Sequence, residues 1–140
     1  MFEHLVAVYG SLKRGHFNHD LLYGAEFVGE DFLFDFTLYD LGPFPAIKRG
    51  ESDGVIVEIY RVTNKQLHRL DELEGFNAEE PHKSFYLRVE VESSYGDVWV
   101  YEFNREVEPN KVIVSGNWCP ETSVVFNPVV HKAAFKQLVY

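Results

Sequence analysis

Short stretches in which every second residue is apolar recur along this chain, and that period belongs to half-buried β-strands rather than to helices. Phe32, Phe34, Phe36 and Leu38 alternate with Asp35 and Thr37. Val55, Val57 and Ile59 flank Glu58, and Phe85, Leu87, Val89 and Val91 oppose Tyr86, Arg88 and Glu90. Asp97 to Phe103 puts Trp99, Tyr101 and Phe103 on one face. Leu5 to Tyr9 differs: it is a continuous apolar run that stops at Gly10, which reads as a buried strand feeding a tight turn. Amphipathic strands favour an antiparallel sheet, here expected to curl into a small barrel.

Two segments carry a helical period instead. Asn64 to Glu74 has Asn64 as the expected N-cap, Leu67, Leu70 and Leu73 as its apolar stripe, and Gly75 as its stop. Asn127-Pro128 pairs a cap with a first-turn proline, and Ala134, Phe135 and Leu138 form a stripe behind it, so 128–140 is expected to be helical. The fold class is therefore α+β, a mostly antiparallel barrel with flanking helices. Without a repeat, a low-complexity tract or a linker, residues 1–140 read as one domain.

Composition narrows the function. Apolar residues make up 46% of the 140, enough for an independent core. The net charge of −9 repels phosphate backbones and argues against a nucleic-acid partner. No basic cluster suits an anionic membrane, and no apolar run approaches the ~20 residues that span one. The N-terminus lacks a signal-peptide pattern and Cys119 is the single cysteine, so a reducing, cytoplasmic setting is expected. Cys119 itself reads as a packed or incidental thiol. The close pair His16 and His19 lacks supporting ligands and reads as exposed polar residues, so no metal or cofactor is expected.

One residue breaks the helical pattern. At about 100° per residue, Glu74 falls within the stripe of Leu67 and Leu70, Glu72 falls on the opposite side, and Asp71 lies at the margin. A carboxylate there meets both desolvation and the unfavourable end of the helix dipole, so its pKa is expected above the usual range, as a general base near neutral pH requires. The helix alone leaves open the simpler reading, in which Glu74 emerges into solvent as the helix ends. Similarly, Tyr9-Gly10-Ser11-Leu12 is either an ordinary turn or a nest whose N–H groups converge on an anion, with Gly10 adopting a conformation closed to other residues. Neither a GxGxxG nor a P-loop is present, so nucleotide binding has no support.

Six segments in order resemble the γ-glutamylcyclotransferase-like family, which includes the AIG2-like proteins and the γ-glutamylamine cyclotransferases. They are Tyr9 to Gly15 followed by Asn18, Leu41 to Ala46, Gly54 to Tyr60, Leu70 to Gly75, Tyr86-Leu87-Arg88, and Ser115 to Trp118, within residues 5–118. Asn117 stands where many members have Asp, and 76–84 looks longer than in compact members. That segment lies between Glu74 and Tyr86 and is expected to line or cover the pocket mouth.

The resemblance implies a small barrel, a Tyr9–Leu12 turn that binds a γ-glutamyl group through backbone amides, and Glu74 as proton acceptor. It implies an enzyme that cyclises a γ-glutamyl amine or peptide to 5-oxoproline and releases the amine. The substrate supplies its own nucleophile, in agreement with the lack of a Cys–His or Ser–His pairing. Tyr86 either hydrogen-bonds the substrate or packs; Arg88 either balances a substrate carboxylate or pairs with Glu90 or Glu92. A non-catalytic small-molecule-binding module on the same fold is the alternative, and a protein-interaction domain with an acidic face is a third reading.

Overall fold

The computed structural model describes residues 3–16 and 18–118. Seven strands and one α-helix follow in the order β1 (His4–Val8), β2 (Glu26–Leu33), β3 (Phe36–Asp40), β4 (Pro45–Arg49), β5 (Val55–Val62), α1 (Asn64–Glu74), β6 (Tyr86–Ser93) and β7 (Gly96–Phe103), with 3₁₀ turns at His19–Leu22, Pro81–Lys83 and Pro109–Lys111. The expected helix at 128–140 and Cys119 lie outside the described residues. No helix among those described is long and apolar enough to cross a membrane.

The strands form two sheets rather than a closed barrel. Five of them hydrogen-bond in the order β2-β5-β1-β7-β6, and β3 pairs only with β4. Antiparallel pairing dominates, as the alternation implied, but β1 meets β7 in parallel through Val6 and Trp99. Closure would require the β2 and β6 edges to pair. Instead the β3–β4 hairpin covers one face of the five-stranded sheet and α1 covers the other.

That double cover explains why the central strands are apolar on both faces. Ala7, Val55, Val57, Ile59, Val98 and Val100 point to the hairpin side and pack with Phe36, Leu38 and Ile47. Val6, Val8, Tyr60, Val62, Tyr86 and Tyr101 point to the helix side and pack with Leu67 and Leu70. Burying those two leucines contributes roughly 1.5–3 kcal/mol each.

The alternation at 32–38 joins two strands across a bend. Leu33 is 5% exposed and points inward, whereas Phe32 and Phe34 are 51% and 57% exposed and stack on one another. The chain turns at Phe34-Asp35, which resets the phase so that Phe36 and Leu38 face the core.

The N-cap of helix α1 is Thr63, one residue before the expected Asn64. Thr63 is extended, its hydroxyl accepts the Gln66 N–H at 3.1 Å, and the Gln66 side chain accepts the Thr63 N–H at 2.9 Å. This capping box satisfies two otherwise unpaired donors. Asn64 turns its side chain to His4 instead. Thr63→Ala is expected to cost about 1 kcal/mol, lowering Tm by roughly 2–4 °C in a thermal melt. Gly75 ends the helix in the left-handed conformation, φ 68° and ψ 34°, as its sequence position implied.

Candidate active site

A cavity opens where the central strand β1 ends. Its wall is continuous from Ala7 to Leu12 and is completed by Phe44 and Pro45 at the start of β4, Glu74 at the end of α1, Tyr86 on β6 and Tyr101 on β7. About 380 Å³ of space lies between these residues, counting the part open to solvent. The turn and the carboxylate singled out in the sequence thus share one cavity, and Tyr86 joins them.

Gly10 serves the site by close approach, not by an unusual backbone conformation. It is absent from the glycines with positive φ. A Cβ on it would fall 2.6 Å from Pro45 Cγ and 3.0 Å from Cδ, so glycine lets the turn pass against the opposite wall.

The turn is held from outside. Asn18 donates its backbone N–H to the Ser11 carbonyl at 2.7 Å and its side-chain amide to Ser11 Oγ at 2.9 Å. His19 Nδ1 lies 2.9 Å from the Leu12 carbonyl, and its ring packs on Tyr60. Lys13, buried, donates to Asn117 Oδ1 at 2.7 Å and to the Trp118 carbonyl at 3.1 Å. The Arg14 N–H donates to the buried Glu58 carboxylate at 2.9 Å. His16 and His19 are half-buried rather than exposed polar residues, and burial, then Lys13, lowers the His16 pKa. With these contacts made, the Ser11 and Leu12 N–H groups have no acceptor among the described residues. Those residues also contain no group of three or more His, Cys, Asp or Glu arranged to hold a metal ion.

Glu74 faces this turn from α1. The residue is half-buried, and its carboxyl group lies deep enough that burial, followed by the nearby Asp71 carboxylate, pushes its pKa from 4.5 up to about 8. Burial also raises the pKa of Tyr9, Tyr86 and Tyr101, and the Glu74 charge raises each further. All three tyrosines line the cavity with Glu74. All three donate elsewhere: Tyr9 to the Tyr101 carbonyl at 2.7 Å, Tyr86 to the Pro45 carbonyl at 2.9 Å and Tyr101 to Asp71 Oδ1 at 2.7 Å. A hydroxyl has one proton, so each retains only lone pairs for a further partner.

Arg88 does not line the cavity. Its guanidinium donates to Asp71 Oδ2 at 2.8 Å and lies over the Trp99 and Phe76 rings. Neither Glu90 nor Glu92 is its partner. No residue of 76–84 lines the cavity either; Phe76 packs beside Arg88, and Ser84 pins the loop by accepting the Asn77 N–H at 2.7 Å. Sequence reasoning passed over Tyr101 and Asp71 as site neighbours. Tyr101 gave no signal beyond its strand face, and the position of Asp71 at the edge of the helical stripe was the one hint.

This α+β fold recurs among solved proteins. An uncharacterized protein of Pyrococcus horikoshii superposes with a TM-score of 0.70 at 30% identity, covering 83% of this chain and 90% of that one. The Escherichia coli protein YtfP superposes with a TM-score of 0.63 at 33% identity, covering 81% and 95%. In sequence, YtfP, called a gamma-glutamylcyclotransferase family protein, is 33% identical over 113 residues, 81% of this chain and 94% of its own length. A Vibrio cholerae relative is 34% identical over 118 residues, 84% and 96% of the two chains. Residues 6–120 match the family described as Gamma-glutamyl cyclotransferase, AIG2-like, and the chain belongs to that family. Membership supports a γ-glutamylcyclotransferase-like activity.

Proposed function

We propose that this protein cyclises a γ-glutamyl amine or peptide to 5-oxoproline and releases the free amine, with Glu74 as general base. The observation that carries the reading is a carboxyl group with a pKa of about 8 facing, across one cavity, a turn with unbonded amides. The two sides of the cavity have opposite polarity. Glu74 and the lone pairs of Tyr9 and Tyr86 accept, which suits an ammonium group. The Ser11 and Leu12 N–H groups donate, which suits a carboxylate or a developing oxyanion. An α-amino acid head carries both charges.

The reaction needs no enzyme nucleophile. The substrate's α-ammonium gives a proton to Glu74, and the freed amine attacks the γ-carbonyl carbon. The ring C–N bond forms, the bond to the departing nitrogen breaks, and the protons lost by the attacking nitrogen pass to the leaving amine through Glu74. Holding both reacting groups of one molecule in a folded-back conformation supplies much of the acceleration. Tyr86 and Tyr9 serve as acceptors that orient the ammonium group.

The test is 5-oxoproline release from a panel of γ-glutamyl dipeptides and γ-glutamylamines. Release supports the enzyme; binding of these compounds without release would replace it with a binding module. The base must be ionised, so kcat/KM is expected to rise about tenfold per pH unit below an apparent pKa near 8, from pH 6 upward. A profile flat between pH 6 and 8 would remove Glu74 from the role.

A further inference from the structure

Behind the cavity wall lies an ion pair that the reaction above does not use. Asp71 stands one helical turn before Glu74, and its carboxylate is held at both oxygens, by Tyr101 at 2.7 Å and by Arg88 at 2.8 Å. Asp71 and Arg88 side chains are 16% and 20% exposed, too enclosed for solvent to screen them as it screens a surface pair. Tyr101 itself lines the cavity. The pair is also fixed in space, because Trp99 and Phe76 confine the guanidinium. Resting on the function proposed above, we propose that Asp71 is a positioning residue, a clamped carboxylate that seats Tyr101 in the cavity wall and, balanced by Arg88, sets the basicity of Glu74.

Among the described residues, four titratable groups act on Glu74 or are acted on by it. From its own helix comes Asp71; from the end of β1, Tyr9; from β6, Tyr86; from β7, Tyr101. The tyrosines stay neutral, so Asp71 is the one fixed charge of like sign among them, and Arg88 is its counter-charge. A like charge favours the protonated carboxyl and an opposite charge the ionised one. The two halves of the pair therefore act on Glu74 in opposite senses.

That opposition gives the test. The ionisation of Glu74 is followed by NMR of its side-chain carboxyl carbon in the substrate-free protein and by the acid limb of kcat/KM. Asp71→Asn keeps the shape and removes the charge. It is expected to move both readouts to lower pH by ~0.5 or more, roughly a threefold rise in the ionised fraction at pH 7. Arg88→Met is expected to move them to higher pH, and Arg88→Lys, which keeps the charge, to leave them near the wild-type position. A purely structural role predicts something else: either variant would loosen the wall, admit water and move Glu74 to lower pH. Displacement of Asp71→Asn and Arg88→Met in the same direction, or no displacement in Asp71→Asn, overturns the proposal. The NMR titration needs no turnover, so an inactive wild type would sink the assigned function while this test still reads out.

Discussion

Glu74→Gln is expected to cut 5-oxoproline release by roughly 10²–10⁴-fold, the usual contribution of a general base, and at the same time to make the protein more stable at pH 8. The two effects share one cause. Burial raises the folded-state pKa of Glu74 to about 8, against an ordinary 4.5. Below pH 4.5 both folded and unfolded chains hold the proton and the residue costs nothing. Between 4.5 and 8 the folded chain binds more protons than the unfolded one, so stability falls as pH rises, and the full cost is present above 8. Glutamine never ionises and escapes that cost. Allowing for partial exposure at the cavity mouth, the difference at pH 8 is roughly 2–4 kcal/mol in favour of the mutant. Melting curves at pH 5 and pH 8 check it: the two proteins should nearly coincide at the lower pH and separate by several degrees at the higher. An active mutant, or one less stable than wild type at pH 8, contradicts the assignment.

The second large effect is expected from a single methyl group. Gly10→Ala leaves the backbone conformation allowed, yet puts Cβ 2.6 Å from the Pro45 ring. Pro45 has little room to retreat, since its carbonyl accepts the Tyr86 hydroxyl and the residue opens β4. The turn and the facing wall must separate, and displacements near 1 Å at such a site cost about 10²-fold in rate. The overpacking itself costs about 1–3 kcal/mol. A loss of kcat/KM of that order is expected with the protein still folded, and Gly10→Ala combined with Pro45→Ala should recover part of it. Unchanged turnover in Gly10→Ala would mean that the contact between turn and wall does not matter.

Much of the site was legible because its two principal parts are local. Glu74 declares itself through the phase of Leu67 and Leu70, and the Tyr9–Leu12 turn through the abrupt stop of an apolar run at Gly10. What the sequence could not display were pairings between distant segments. Arg88 invites pairing with Glu90 or Glu92, two and four positions away, but its carboxylate is Asp71 on another element. Tyr101 joins the cavity only because β7 lies beside β1. The pressure on Gly10 comes not from its backbone conformation but from Pro45, 35 positions on by residue number. In the fold, β5 could be read directly from its alternation. The 32–38 segment could not, because neither glycine nor proline marks the bend at Phe34-Asp35, and two aromatic rings outside the core mimic a buried phase. The barrel failed for a related reason: alternation says that a face is covered, not whether a hairpin or the sheet's own closure covers it.

The order of strands also governs when, during synthesis, the cavity comes into being. The β1 strand emerges first, yet one of its two neighbours is β7, and the Tyr9 hydroxyl waits for a carbonyl 92 positions downstream. At ~5–20 residues per second the ribosome needs roughly 5–20 s to cover that distance. Throughout that interval the nascent chain presents the apolar run Leu5–Val8 without its β7 partner. Any product released before β7 is complete lacks the Tyr101 wall, however well its earlier hairpin has formed.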